Sequence, residues 1–353
     1  MKIDILTIWD LNNYGNRLQN YAVQEILRPY GDVKTIIRYY FAEKHGSLML
    51  RAILLRRNIK KVLEKETMLK RFNAFSHFSK QYIHTEKLIV TRKFKGIPKA
   101  AYYVTGSDQV WNPYSCGCGM CVNMLGFASA EKKIAVAPSI SVDSLTSEQE
   151  AEFKKYLSDF KALSCREQQG ADLITQITGR ECTALIDPTL MLSAEEWNKV
   201  SKKPKFHNED KKYILLYFLG NLTPEYQQII EKISKKYGLE IINIYDKKSK
   251  YFSCGPSEFI WMVKHCEMML TDSFHGSVFS YIYDRPFRIF KRAGGESMNS
   301  RLTNLMDKLH LDDSVYLNEN DSLDNILDVH YDKTYLYEEQ KKFRNYLDKA
   351  FDK

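Results

Sequence analysis

Residues 268–290 read MMLTDSFHGSVFSYIYDRPFRIF. Met268 to Thr271 is a short apolar run, as a buried strand would be. Gly276 to Tyr283 is apolar over helical length, and Phe287 to Phe290 is a second strand-like run. Strand, helix and strand joined by short turns form a parallel βαβ unit. Asp272, Ser273, His275 and Gly276 fall at the first junction. A buried junction rich in an acid, a hydroxyl and an imidazole is read here as one wall of an active site. The positive end of a helix lowers the pKa of a nearby imidazole, and a bound anion raises it again. His275 is therefore a candidate catalytic proton shuttle, with Asp272 beside it.

The same alternation runs outward in both directions. Tyr213–Leu219 and Glu240–Tyr245 read as strands, with helices at 223–237 and 257–266. Towards the N-terminus, strands are expected at 2–9, 33–37, 101–105, 133–138, 162–165 and 183–186, and helices at 16–28 and 147–159. Alternating strands and helices make parallel sheets covered by helices. The chain has 353 residues, which suits two domains rather than one core. The fold class is thus α/β, with two Rossmann-like domains facing across a cleft. The N-terminal domain is placed at 1–200, with a basic helical insertion at about 45–80. The C-terminal domain is placed at 201–335, and a last helix at 336–353 packs back across the domains.

In open α/β sheets, ligands sit beyond the carboxyl ends of strands. Four such ends carry polar residues. After the first strand comes Asp10-Leu-Asn-Asn13-Tyr-Gly15-Asn16-Arg17-Leu-Gln19-Asn20, which opens a helix whose amides favour an anion. Asn13, Gly15, Asn16, Arg17, Gln19 and Asn20 are taken as substrate-binding. Gly106-Ser107-Asp108 follows another strand, with Trp111 three residues on. Ser107 and Trp111 are assigned to substrate, Trp111 as a surface for a sugar ring, and Asp108 to catalysis. Ser164-Cys-Arg166-Glu167 ends a third strand. A buried Arg needs an anion or a carboxylate, so Arg166 meets either a ligand or its own neighbour. The fourth end is the opening stretch, where Ser273 and Gly276 join the binding set.

Composition narrows the class. The apolar share of 44% is that of a soluble globular chain. No apolar run is long enough to span a bilayer, and the first residues lack a signal peptide's design. The protein reads as cytoplasmic, so its seven cysteines are expected to be reduced. Cys116, Cys118 and Cys121 cluster, yet no second cluster completes a metal set, and no metal is assigned. The net charge of +8 favours anionic partners. Residues 51–71, RAILLRRNIKKVLEKETMLKR, carry eight basic residues against two Glu at helical spacing. Such a helix suits peripheral contact with an anionic membrane or a solvated face of its own domain. It carries no nucleic-acid motif, so no nucleic-acid partner is expected.

Read together, the segments NNYGNRLQNYAVQEIL, VTGSDQVWNP, LSCREQ, LIDPTLML, GPSEFIWMVKHCEMMLTDSFHGSVFSYIYDRPF and NSRLTNLMDKL resemble the polysaccharide pyruvyl transferases. The resemblance covers most of the chain, in order. It implies a glycosyltransferase-B-like fold. It implies transfer of pyruvate from phosphoenolpyruvate to a sugar as a cyclic ketal, with phosphate released and no cofactor. The acceptor is then a sugar of a bacterial surface polysaccharide or its polyprenyl-linked precursor. The resemblance further implies that His275 and Arg166 serve the donor. Other members carry Arg-x-His where this chain has Ser273-Phe-His275, so another cation must stand in, with Arg17, Lys291 and Arg292 as candidates. A nucleotide-sugar glycosyltransferase and a non-catalytic glycan-binding relative share these features and remain as alternatives.

Overall fold

The computed structural model describes residues 1–10, 12–40, 66–90, 96–114, 120–208, 211–294, 299–312, 315–317 and 321–353. The chain divides into two compact units. The first holds residues 1–66, 79–191 and 339–353, and the second holds 67–78 and 192–338.

The first unit opens with β1 (Lys2–Leu6), α1 (Tyr14–Leu27), β2 (Asp32–Tyr40), α2 (Glu66–Tyr82) and β3 (Thr85–Val90). β4 (Tyr102–Thr105), a short α3 (Met120–Asn123), β5 (Lys133–Ala135) and α4 (Ser147–Leu157) follow. Then come β6 (Ser164–Cys165), α5 (Gln168–Thr178) and β7 (Thr183–Ala184). Five strands form one parallel sheet in the order β3-β2-β1-β4-β5, with β6 and β7 paired separately. Ile3 lies opposite both Val33 and Tyr102, which fixes the register of the central three. Parallel strands covered on both faces read as apolar runs, and Ile3, Ile5 and Leu6 are fully buried.

α1 departs from that apolar rule. Its buried face carries Asn16, Arg17, Gln19, Asn20 and Gln24. Gln24 donates to the Thr35 hydroxyl at 2.7 Å and to the His84 carbonyl at 2.8 Å. Thr35 in turn donates to Asn20 Oδ1 at 2.7 Å. This ladder ties α1 to β2 and to the entry of β3, because buried amides are stable only when paired.

The second unit begins with α6 (Ala194–Asn198) and β8 (Tyr213–Tyr217), followed by α7 (Pro224–Tyr237) and β9 (Glu240–Asn243). α8 (Pro256–His265), β10 (Met268–Thr271), α9 (Phe274–Ile282) and β11 (Phe287–Ile289) complete its sheet. α10 (Asn299–Leu309) and α11 (Thr334–Ala350) end the chain. The sheet order is β11-β10-β8-β9, all parallel, with Met268 opposite Ile214 and Met269 opposite Phe287. Both units are therefore α/β with parallel sheets.

The units do not follow the 1–200 and 201–335 boundaries. Residues 339–353 go with the first unit, where Tyr346 donates to the Ala135 carbonyl and Phe351 stacks on Tyr30. Residues 67–78 go with the second. There Arg71 is buried, donates to the Phe252 carbonyl at 3.0 Å, and lies against the Phe75, Tyr245 and Phe252 rings. Arg71, the last basic residue of 51–71, thus serves packing and faces no membrane. The rest of the expected insertion up to residue 65, and Cys116 and Cys118, lie outside the described residues. Cys121 is a half-buried free thiol. Among the described residues, no helix is long and apolar enough to cross a membrane.

Asp4 sits in the middle of β1, fully buried, 3.4 Å from Lys2 Nζ. Burial pushes its carboxyl up to about 6, with Lys2 opposing. The unfolded chain ionises this group first, so stability falls as pH rises through about 4 to 6 and stays lower above. Asp4→Asn should stabilise the protein by about 1–3 kcal/mol at pH 8 and by little at pH 4. Urea unfolding at the two pH values checks this, and equal gains at both would contradict it.

Candidate functional site

Each sheet reverses direction once. In the first unit the chain builds β1, β2 and β3 to one side, then β4 and β5 to the other. In the second it builds β8 and β9, then β10 and β11 on the opposite side. The carboxyl ends at such a switch point border a crevice that suits a ligand. In the first unit it lies between the β1–α1 loop and Gly106–Asn112. In the second it lies between the loop after β8 and Asp272–Ser273. The sequence places its densest polar clusters at these two points.

The first-unit cluster is tightly wired. Gly106 has φ +122°, and a Cβ there would meet the Val136 carbonyl oxygen at 2.1 Å, so only glycine fits. Ser107 is held from three sides. Its N–H donates to Gln19 Oε1 at 3.2 Å, its hydroxyl donates to the Ala137 carbonyl, and its carbonyl accepts from Thr7. Gln19 also donates to Thr7 Oγ1 at 3.0 Å. Asn13 caps α1 by accepting from the Asn16 N–H at 3.1 Å. Asn16 accepts from the Asp10 N–H and from Arg17 Nη2, and donates to Asp108 Oδ2 at 3.2 Å. Gly15 is buried in the same first turn. Asn20 faces Thr35 and serves the ladder under α1.

Arg166 is fully buried, 2.8 Å from Asp187 and 3.2 Å from Glu167. Asp187 also accepts from the Thr189 N–H and hydroxyl, and Glu167 accepts from the Ser139 hydroxyl. The two carboxylates, with Asp108 farther off, hold the guanidinium pKa above its usual value despite desolvation. Burial of this charge is thus answered within the chain and does not by itself call for a ligand. Asp108, at φ +61°, lies in the electrostatic field of both Arg166 and Arg17.

Trp111 requires a correction. It is 0% exposed, belongs to the first unit's hydrophobic core, and meets the Phe160 ring edge-on with centroids 6.1 Å apart. A ring so enclosed presents no face to a sugar. Its place after a polar turn resembles a site residue, but the core claims it.

In the second unit, the Asp272 carboxylate accepts from the Leu219 and Gly220 N–H groups, each at 2.7 Å. Arg292 Nε lies 3.4 Å from the same carboxylate, and Arg292 Nη2 donates to the Asp272 carbonyl at 3.1 Å. Asp272 therefore ties together the ends of β8, β10 and β11. Ser273 is the N-cap residue of α9, but its hydroxyl makes no capping hydrogen bond. α9 has no acidic residue in its first turn, so its positive end is not neutralised from within. His275 sits in that turn, 6% exposed, against the edge of Phe274. A Cβ on Gly276 would meet Thr271 Oγ1 at 2.5 Å, so glycine lets α9 start close against β10.

Some participants were not singled out from the sequence. Thr7, Ser139 and Thr189 lie on short polar turns whose roles depend on strand order. Arg301, on α10, is buried and places its guanidinium 5.2 Å from the Phe274 ring centroid, beside the start of α9. Its signal in NSRLTNLMDKL is an Arg directly beside the apolar positions Leu302, Leu305, Met306 and Leu309. Of the cations considered for the position before His275, Arg292 is held at Asp272, Lys291 is exposed, and Arg17 belongs to the first unit.

The model of the polysaccharide pyruvyl transferase family matches residues 13–293 of the chain. No curated protein sequence matches it. Solved structures similar across 99% of this chain include one described as a UDP-N-acetylglucosamine 2-epimerase from Listeria monocytogenes, 9% identical over 90% of that chain with a TM-score of 0.45. The glycotransferase of kitacinnamycin is 8% identical over 95% of its chain, with a TM-score of 0.43. The N-terminal domain of trehalose-6-phosphate phosphatase from Candida albicans is 10% identical over 99% of its chain, at 0.41. Likenesses this distant carry no activity across.

Proposed function

The chain belongs to the polysaccharide pyruvyl transferase family, and on that premise we propose that it moves pyruvate from phosphoenolpyruvate onto two hydroxyls of a sugar. The product is a cyclic ketal, and phosphate leaves. The second unit takes the donor and the first recognises the acceptor, a sugar of a surface polysaccharide or its lipid-linked precursor.

The observation that carries this reading is the start of α9 at the second switch point. An N-cap hydroxyl that makes no capping bond, a first turn with no acid, and two guanidinium groups nearby suit a multiply charged anion. Phosphoenolpyruvate is such an anion, bearing a carboxylate and a phosphate. Its methylene carbon must gain a proton before a sugar hydroxyl attacks the neighbouring carbon. The second hydroxyl then displaces phosphate. Of the two hydroxyl protons, one balances the new methyl group and the other leaves with phosphate. His275 stands where a proton could be delivered to the donor. Arg292 and Arg301 hold negative charge in place and take no proton. Asp272 acts indirectly, by positioning the ends of three strands around the donor.

Phosphate release from phosphoenolpyruvate, measured against a panel of sugars and lipid-linked sugars, tests the proposal. Release that needs an acceptor, with a new ketal methyl signal in the proton spectrum of that acceptor, is expected. Release of a nucleoside diphosphate from a sugar nucleotide, with none from phosphoenolpyruvate, would replace this reading by glycosyl transfer.

A further inference from the structure

Arg17 sits in the first turn of α1, the end of a helix where a cation is disfavoured. It is 0% exposed. Its Nη2 donates to Asn16 Oδ1 at 2.6 Å and to the Ile8 carbonyl at 3.3 Å, and its guanidinium lies 4.0 Å from the Trp9 ring centroid. Nε and Nη1 have no hydrogen-bond partner among the described residues. The charges of Asp10 and Asp108 attract it. Desolvation pushes the guanidinium down to about 10, so it remains charged at neutral pH.

The contrast with Arg166 is informative. Arg166, equally buried, is matched by two carboxylates within 3.2 Å. Arg17 keeps its charge, sits at the positive end of a fourteen-residue helix, and has two buried donors without a hydrogen-bond partner among the described residues, at the first unit's switch point. A buried cation held against both desolvation and the helix dipole is best matched by an anion.

We propose that Arg17 binds an anionic oxygen group, a carboxylate or a phosphate, carried by the sugar acceptor. The acceptor is thus an acidic sugar or a sugar phosphate rather than a neutral sugar. The inference rests on the assignment of the first unit to the acceptor.

Calorimetric titration of the full chain with galactose, galacturonate, galactose 1-phosphate and phosphoenolpyruvate tests it, with Arg17→Met and Arg17→Lys alongside. At least one anionic sugar should bind more tightly than galactose. That binding should weaken by about tenfold or more in Arg17→Met and by less in Arg17→Lys. Arg17→Met should unfold at the same or a higher temperature, since it removes a buried charge with open donors. The contrast between the two sugars identifies carboxylate or phosphate as the group recognised. Equal binding of galactose and its anionic forms, no binding of either anionic sugar, or unchanged binding in Arg17→Met would each overturn the proposal. So would an Arg17→Met chain that fails to fold while Arg17→Lys folds and binds normally, because the charge would then be structural. Loss of phosphoenolpyruvate binding alone in Arg17→Met would move the site to the donor and also overturn it. If phosphoenolpyruvate binds nowhere but Arg17-dependent binding of an anionic sugar persists, the donor assignment fails and this one stands.

Discussion

Replacing His275 by alanine should lower phosphate release from phosphoenolpyruvate by about 10²–10⁴-fold, the range typical of a lost general acid or base. His275 lies in the first turn of α9, 6% exposed, at the carboxyl end of β10 and at the switch point of its sheet. In the proposed reading, a helix start with no capping bond and no acid in its first turn gathers the donor's negative charge there. The imidazole is then the proton carrier closest in sequence to that charge. If it acts in proton transfer, kcat carries most of the loss and the KM for phosphoenolpyruvate changes by less than about tenfold. Steady-state kinetics separates the two. A variant with near-normal kcat would remove His275 from the chemistry. A raised KM with unchanged kcat would assign it to binding alone.

The second large effect is on stability. Arg166→Ala should cost about 3–5 kcal/mol, because it leaves Glu167 and Asp187 buried together without their cation. Asp187 is 1% exposed and Glu167 7%, so solvent cannot replace the guanidinium. Arg166→Lys should recover part of the loss, since one ammonium cannot reach both carboxylates as a planar fork does. Urea unfolding of the three proteins measures this. An Arg166→Ala protein of normal stability that fails to bind phosphoenolpyruvate would show that Arg166 serves the ligand after all. It would also overturn the view that its charge is answered within the chain.

The central strands, though not their order in the sheets, were within reach of the sequence because buried parallel strands read as apolar runs. Ile3 to Leu6, Tyr213 to Tyr217 and Met268 to Thr271 need no partner to be recognised. β3 was missed because Thr-Glu-Lys opens it with polar residues, whereas β6 and β7, each two residues long, fall inside the strands expected at 162–165 and 183–186. α5 was missed because Gln-Gln-Gly at its start hides a helix whose apolar face begins at Ala171. Polar strand ends were legible as a class but not by role. Asn13 is a cap, Asn20 belongs to the ladder under α1, and Trp111 is core. Those assignments depend on which strand lies beside which, and periodicity carries no such information. Arg301 reaches the start of α9 from 27 residues further along the chain, a distance that no local pattern spans.

The central claim is that the switch point of the second unit takes phosphoenolpyruvate. Calorimetric titration with phosphoenolpyruvate and, separately, with UDP-sugars, on the wild type and on His275→Ala and Arg292→Ala, tests it most directly. Saturable binding of phosphoenolpyruvate is expected, weakened by about tenfold or more in Arg292→Ala, with no comparable binding of UDP-sugars. Binding of a UDP-sugar with none of phosphoenolpyruvate, or binding of phosphoenolpyruvate indifferent to both substitutions, would contradict it.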